Sequence, residues 1–197
     1  MRLVVGSLLA VLAIPILVAA AVLAMLGGAI SVASTGAAPP SGPVPGSLSG
    51  IPTAMLSLYE EAAPTCPGLP WEVLAGIGTV ESDNGTSDLP GVHSGSNFAG
   101  AEGPMQFLPA TFAAYDLPVP PGGANPPSPY DPTDAVYAAA RDLCANGARN
   151  GTDLSGAVFA YNHSNAYVAD VLGLAARYAA EARAADPAPD RASRRKP

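Results

Sequence analysis

Basic side chains are nearly missing from the middle of this chain. Between residues 50 and 182 there are 14 acids, and only Arg141, Arg149 and Arg177 oppose them, a net of −11. So acidic a body repels phosphate, which excludes nucleic acid as a partner. Metal-binding side chains are also scarce: two cysteines, Cys66 and Cys144, and two histidines, His93 and His163. Their spacing fits no zinc pattern, and the run from Asp83 to Asp88 lacks the ligand spacing of a calcium loop. No metal and no other cofactor is expected. Sustained alternation of apolar and polar residues is missing, and the β-branched residues are scattered, which argues against sheets. No internal repeat is visible.

Uncharged residues, by contrast, crowd the N-terminus. Leu3 to Ile30 is a run of 28 residues without a charge. A bilayer-crossing helix needs about 20, and the apolar stretch of a secretory signal is about 7–15. The run therefore reads as one transmembrane helix, an anchor over residues 1–33. Arg2 and the terminal amine would hold its start in the cytoplasm and leave the rest of the chain outside. A cleaved signal ending near Val32-Ala33-Ser34, releasing a secreted protein, is the alternative. Residues 34–50 are rich in Pro, Gly and Ser and read as a semi-stiff linker. Residues 51–182 form the body. Residues 183–197, with 5 bases and 2 acids, read as a disordered basic tail. Both cysteines fall in the part expected outside, where disulfides persist. Their pairing would close a loop of about 80 residues and stabilise the fold by ~3–4 kcal/mol. Two separate buried thiols are the alternative.

With 21 glycines and 22 prolines, loops must be extensive. The body reads as mostly α. Helices are expected over 52–63, 70–83, 108–115, 131–146, 153–163 and 165–184. Pro70 suits a first turn, and Asn84-Gly85 a helix end. Asp131 reads as a cap, with Pro132 just inside and Asp134 in the first turn. The segment 83–98 is a long loop, and 117–130 holds six prolines and cannot be regular.

On the second helix, Leu74, Ile77, Gly78 and Glu81 fall at i, i+3, i+4 and i+7, so Glu81 stands about 20° from the line of Leu74. It ends an apolar stripe at a helix C-terminus. Partial desolvation and the negative end of the helix dipole both favour its protonated form. A glutamate kept protonated near neutral pH can act as a general acid. The plain alternative is the wet end of an amphipathic helix. Further on, Gly100 and Gly103 bracket a loop able to approach a ligand closely. Gln106 offers a donor and an acceptor. Met105 and Phe107 read as core, with Met105 also a candidate contact. Tyr161, in Ala160-Tyr161-Asn162, is either a core residue with a wet hydroxyl or a polar group aimed into a cleft.

Taken in order, Glu81-Ser82, then Gly-Ala-x-Gly-x-Met-Gln-Phe-x-Pro over 100–109, then Ala-Tyr-Asn resemble the soluble lytic transglycosylase domain. The resemblance spans about Ile51 to Ala179. It is nearest the transglycosylase module of actinobacterial wall enzymes that also carry a papain-like peptidase domain. It implies a lysozyme-like, goose-type helical fold acting on peptidoglycan glycan strands. Glu81 would protonate the bond between N-acetylmuramic acid and N-acetylglucosamine, then take the muramoyl C6 hydroxyl proton as a 1,6-anhydro ring closes. Gln106 and Tyr161 would line the cleft, Asn162 would orient Tyr161 or the loop, and Ser82 would position the helix end or a sugar group. No peptidase domain follows, so a peptidase or conjugation-machinery partner is expected to work beside it, in wall remodelling or the passage of a transfer apparatus. The gap from Glu81 to Gln106 is longer than usual for the family. The extra loop carries Asp83, Asp88 and His93, and Glu102 lies in the glycine-bracketed segment. A second carboxylate facing Glu81 would instead make a hydrolytic muramidase. A non-catalytic peptidoglycan-binding assembly module is the third reading.

Overall fold

In the computed structural model, which describes residue 48 and residues 50–185, six α-helices carry the chain. They are α1 (Thr53–Ala62), α2 (Trp71–Ser82), α3 (Pro109–Tyr115), α4 (Pro132–Leu143), α5 (Leu154–Asn162) and α6 (Asn165–Ala185). Short helical turns follow α1 and α4. Among the described residues there is no strand, only an isolated antiparallel bridge between Glu102 and Phe107. The mostly helical expectation is met, and the helices lie within a few residues of where the sequence puts them.

Local chemistry explains the boundaries. Asp131 Oδ1 accepts from the backbone N–H groups of Thr133 (2.9 Å) and Asp134 (3.2 Å), capping α4 with Pro132 in its first turn. Asp153 caps α5 by accepting from the Gly156 N–H at 2.7 Å. α2 stops because Asp83 (φ 52°) and Asn84 (φ 57°) both turn left-handed, and the Asn84 N–H closes back on the Gly78 carbonyl at 2.8 Å.

α2 is the centre of the body. Val73, Leu74, Ala75, Gly76, Ile77 and Gly78 are all buried, so the helix is covered nearly all round rather than along one stripe. Its most extensive partner is α6. Gly76 permits that approach, since a Cβ there would lie 2.7 Å from the Val171 carbonyl oxygen. Gly78 leaves room for the Tyr59 hydroxyl, which donates to Asn84 Oδ1 at 3.0 Å. Asn84 is itself buried and donates to the Gly50 carbonyl and to Thr79 Oγ1. This polar cluster fixes the left-handed turn directly behind Glu81.

Cys66 and Cys144 are joined, a closure of 78 residues that ties the segment after α1 to the end of α4. The proline-rich stretch 117–130 is pinned by buried Asp134, whose Oδ2 accepts from the N–H groups of Ala124 and Ser128. Arg141 adds bonds to the carbonyls of Tyr115 and Pro118. Leu48 is buried against the core, and α6 continues to Ala185. Among the described residues no helix is long and apolar enough to cross a membrane. The expected span from Leu3 to Ile30 lies outside them, as do nearly all of the expected linker and most of the tail.

Candidate active site

Glu81 occupies the last turn of α2 and is half-buried. Its Oε1 accepts a hydrogen bond from the Tyr167 hydroxyl at 2.6 Å. Burial pushes the carboxyl up to about 7, against an opposing pull from that hydrogen bond. At neutral pH the group is therefore divided between acid and carboxylate, the state suited to giving and taking a proton. Tyr167 remains a donor throughout: burial first, then the charge of Glu81, push its phenol far above the ordinary range. With Oε1 engaged as an acceptor, Oε2 is the oxygen left to carry the acid proton.

Ser82, the next residue, is 2% exposed. Its hydroxyl donates to the Pro104 carbonyl at 2.6 Å and accepts from the Gly85 N–H at 2.8 Å. It bolts the glycine-bracketed loop to the end of α2, and its burial removes the expectation that it touches a sugar. In that loop the mutual backbone bonds of Glu102 and Phe107, 2.9 Å each, close a tight turn. Gly103 is obligatory there, because at φ 77° a Cβ would overlap the Pro129 carbonyl. Met105 is 0% exposed, so its side chain is core and not a substrate contact. What it offers is its carbonyl, which accepts from the Tyr161 hydroxyl at 2.8 Å.

Gln106 is half-buried in a left-handed conformation (φ 49°). Its Nε2 donates to the Gly103 carbonyl at 2.8 Å, and its Oε1 accepts from Asn97 Nδ2 at 2.9 Å. Tyr161 is half-buried between Phe107, centroids 5.5 Å apart, and the parallel, offset ring of Tyr167 at 6.5 Å. Burial, then the charges of Glu81 and Asp142, push its phenol well above the ordinary range. Gln106 and Tyr161 thus spend polar atoms on shaping the loop. Asn162 is exposed, and among the described residues its side chain bonds neither Tyr161 nor the loop; Met105 and the flanking rings orient Tyr161 instead.

These contacts form a closed circuit. Ser82 holds Pro104, Met105 holds Tyr161, Tyr161 lies along Tyr167, and Tyr167 returns to Glu81. The circuit links α2, the glycine-bracketed loop, α5 and α6, and it closes on the Glu81 carboxyl through Tyr167, 86 residues further along the chain. A family model, the Transglycosylase SLT domain, matches residues 59–183. The chain belongs to this family. The match covers every member of the circuit. Comparisons with curated proteins and with solved structures gave no match. As a transglycosylase SLT domain the protein acts on peptidoglycan glycan strands, and its six-helix body is consistent with the lysozyme-like fold of the family.

The other acids of the sequence stand apart from Glu81. Asp83 is exposed and turns to Thr86, whose hydroxyl donates to its Oδ2. Asp88 and His93 are exposed. Glu102 lies beside Tyr130, whose phenol is raised by burial and then by Glu102. None of them is among the groups that perturb Glu81. Among the described residues no cluster of His, Cys, Asp and Glu is arranged to hold a metal ion.

Two site residues escaped the sequence. Tyr167 lies on the buried stripe of α6 with Val171 and Tyr178, where a phenol needs a hydrogen-bond partner. The available signal was the phenol on that inward stripe, which must find an acceptor. Asn97 lies in the extra loop, outside the three motif segments.

Proposed function

We propose that this domain cleaves the β-1,4 bond between N-acetylmuramic acid and N-acetylglucosamine with formation of a 1,6-anhydro ring, and that Glu81 is its sole acid and base. The observation that carries the reading is the Glu81 carboxyl, raised to about 7 by burial, held by Tyr167, and perturbed by no second carboxylate. Glu81 gives its proton to the glycosidic oxygen as the bond to muramoyl C1 breaks. The substrate's acetamido oxygen shields the cationic carbon, in place of a protein nucleophile. The Glu81 carboxylate, steadied by the Tyr167 hydroxyl, then removes the C6 hydroxyl proton while O6 bonds to C1. Glu81 ends protonated and no water is consumed.

The disulfide supports an oxidising compartment. With the uncharged run Leu3 to Ile30, it favours a single-pass membrane protein whose catalytic body faces the wall. The order of the motifs also resembles that of the transglycosylase modules of actinobacterial bifunctional wall enzymes. Wall remodelling, or opening a path for a transfer apparatus beside a peptidase partner, is the role this arrangement suits.

Mass spectrometry of muropeptides released from purified peptidoglycan tests the chemistry. Anhydro-muramic ends are expected; reducing muramic ends alone would establish a muramidase, and binding to sacculi without release would establish a binding module. Glu81→Gln is expected to fold and to lose nearly all turnover.

A further inference from the structure

The extra loop between α2 and the glycine-bracketed segment ends in a turn that the catalytic circuit does not use. Phe98 sits on it, 91% exposed, the most exposed large apolar side chain among the described residues. An exposed phenylalanine on a loose loop means little. This loop is fastened at three points. The Gly103 N–H donates to the Gly91 carbonyl at 2.7 Å, the Tyr130 hydroxyl to the Gly95 carbonyl at 2.5 Å, and Asn97 Nδ2 to Gln106 Oε1 at 2.9 Å. Asn97 also builds the turn itself. Its Oδ1 accepts from the N–H groups of Ala99 (2.8 Å) and Ala101 (3.0 Å), and its own N–H donates to the Ala101 carbonyl at 3.0 Å. The ring is therefore displayed from a braced support, one residue from a side chain that bonds the motif glutamine.

We propose that Phe98 is a sugar-stacking platform at the rim of the cleft, taking the apolar face of a pyranose ring of the glycan strand away from the bond that is cut. The inference rests on the glycan-cleaving function proposed above. A pyranose presents a flat array of C–H groups that an aromatic face covers without hydrogen bonds. Its neighbours along the chain, Ser96, Ala99 and Gly100, are small, and at 91% exposure the ring face is open. Stem peptides are the competing occupant, and they carry carboxylates. No lysine or arginine stands between residues 3 and 140 to receive one. The sugar is the better match to an uncharged aromatic surface.

The test compares Phe98→Ala and Phe98→Trp with the unaltered chain, on glycan strands stripped of stem peptides and on intact peptidoglycan. Covering on the order of 50 Å² of apolar surface predicts about a tenfold rise in KM for Phe98→Ala on both substrates. Phe98→Trp is expected within about threefold of the unaltered chain, since a larger ring keeps the platform. The melting temperature should be unchanged, because the ring packs against little. A KM for Phe98→Ala within about twofold on stripped strands, or a loss seen only on intact peptidoglycan, overturns the proposal. Sedimentation of stripped strands with Glu81→Gln, and with Glu81→Gln carrying Phe98→Ala, separates this question from the function it rests on. If Glu81 is not the acid, Glu81→Gln still cuts strands while the Phe98 difference in binding persists. If Phe98 is not the platform, the two inactive proteins bind alike.

Discussion

Removing the Tyr167 hydroxyl should push the active range of the enzyme towards alkaline pH while slowing it. Tyr167→Phe keeps the ring that lies along Tyr161 and deletes only the 2.6 Å bond to Glu81 Oε1. Two influences act on Glu81 in the intact protein: burial raises it, and the Tyr167 hydrogen bond lowers it, with the balance at about 7. The deletion leaves burial alone. A hydrogen bond to a charged group contributes ~1.5–3 kcal/mol, and each pH unit corresponds to about 1.4 kcal/mol, so the Glu81 carboxyl should rise by about 1–2 pH units. Cleavage begins with Glu81 protonated, so kcat/KM is level below its pKa and falls above it. The descending limb should move from about 7 to about 8–9. At about pH 5 Glu81 is protonated in both proteins, and there the variant should still be about 10- to 100-fold slower, because the carboxylate formed in the reaction has lost its stabilising donor. The measurement is a pH–rate profile on soluble glycan strands, taken from about pH 4 to about pH 10. A limb that stays in place or moves towards acid would refute the assignment, showing either that the hydroxyl does not act on Glu81 or that Glu81 does not set the limb.

The same carboxyl predicts a pH-dependent stability. Its folded value, about 7, lies above the ordinary 4.5, so the folded chain holds that proton more tightly than the unfolded chain. The penalty for ionising it is absent below about pH 4.5, grows between 4.5 and 7, and reaches about 3 kcal/mol above that window. Glu81→Gln should therefore stabilise the body by up to about 3 kcal/mol at alkaline pH and by much less near pH 4, as read by urea denaturation; an equal gain at both would contradict the origin given for the shift. Opening the Cys66–Cys144 link, by reductant or by replacing both with serine, should lower stability by ~3–4 kcal/mol in the same assay, and an unchanged unfolding midpoint would count against it.

What could be read from the sequence was what local chemistry decides. Asp131 before Pro132 and Asp153 before Leu154 announced helix starts because a short side-chain acceptor beside a free N–H acts within three residues. The apolar line from Leu74 to Glu81 announced a desolvated acid because helical periodicity brings those residues to one side. Contacts between distant segments were less legible. Ser82 reads as positioning either the helix end or a sugar group, and only the fold, which brings the Pro104 carbonyl within 2.6 Å, decides. Gln106 and Tyr161 are polar groups in motif positions, and nothing local says whether their partners are substrate or protein. Met105 reads as core and also as a candidate contact; its side chain is core, and its polar contribution is a carbonyl, an atom common to every residue. Tyr167 has no motif around it, although a phenol on the inward stripe of an alanine-rich helix requires an acceptor somewhere.

The circuit explains why so small a site needs so much of the fold. A lone acid that must both give and take a proton needs a value near neutrality, and the burial that supplies it also destabilises its charged form. A second carboxylate would raise the value further, and a nearby cation would depress it. A neutral donor does neither in full: the Tyr167 hydroxyl tempers the effect of burial without adding charge. That hydroxyl is useful only if its ring is immobile, and Tyr161, itself fixed by the Met105 carbonyl and Phe107, lies along it. Met105 is in turn fixed by its burial and by Ser82 holding its neighbour Pro104. The residue adjoining the acid thus anchors the loop that steadies the tyrosines that set the acid. Glu81 and its supports depend on one another, and for this reason α2, the loop, α5 and α6 must be packed together before any chemistry is possible.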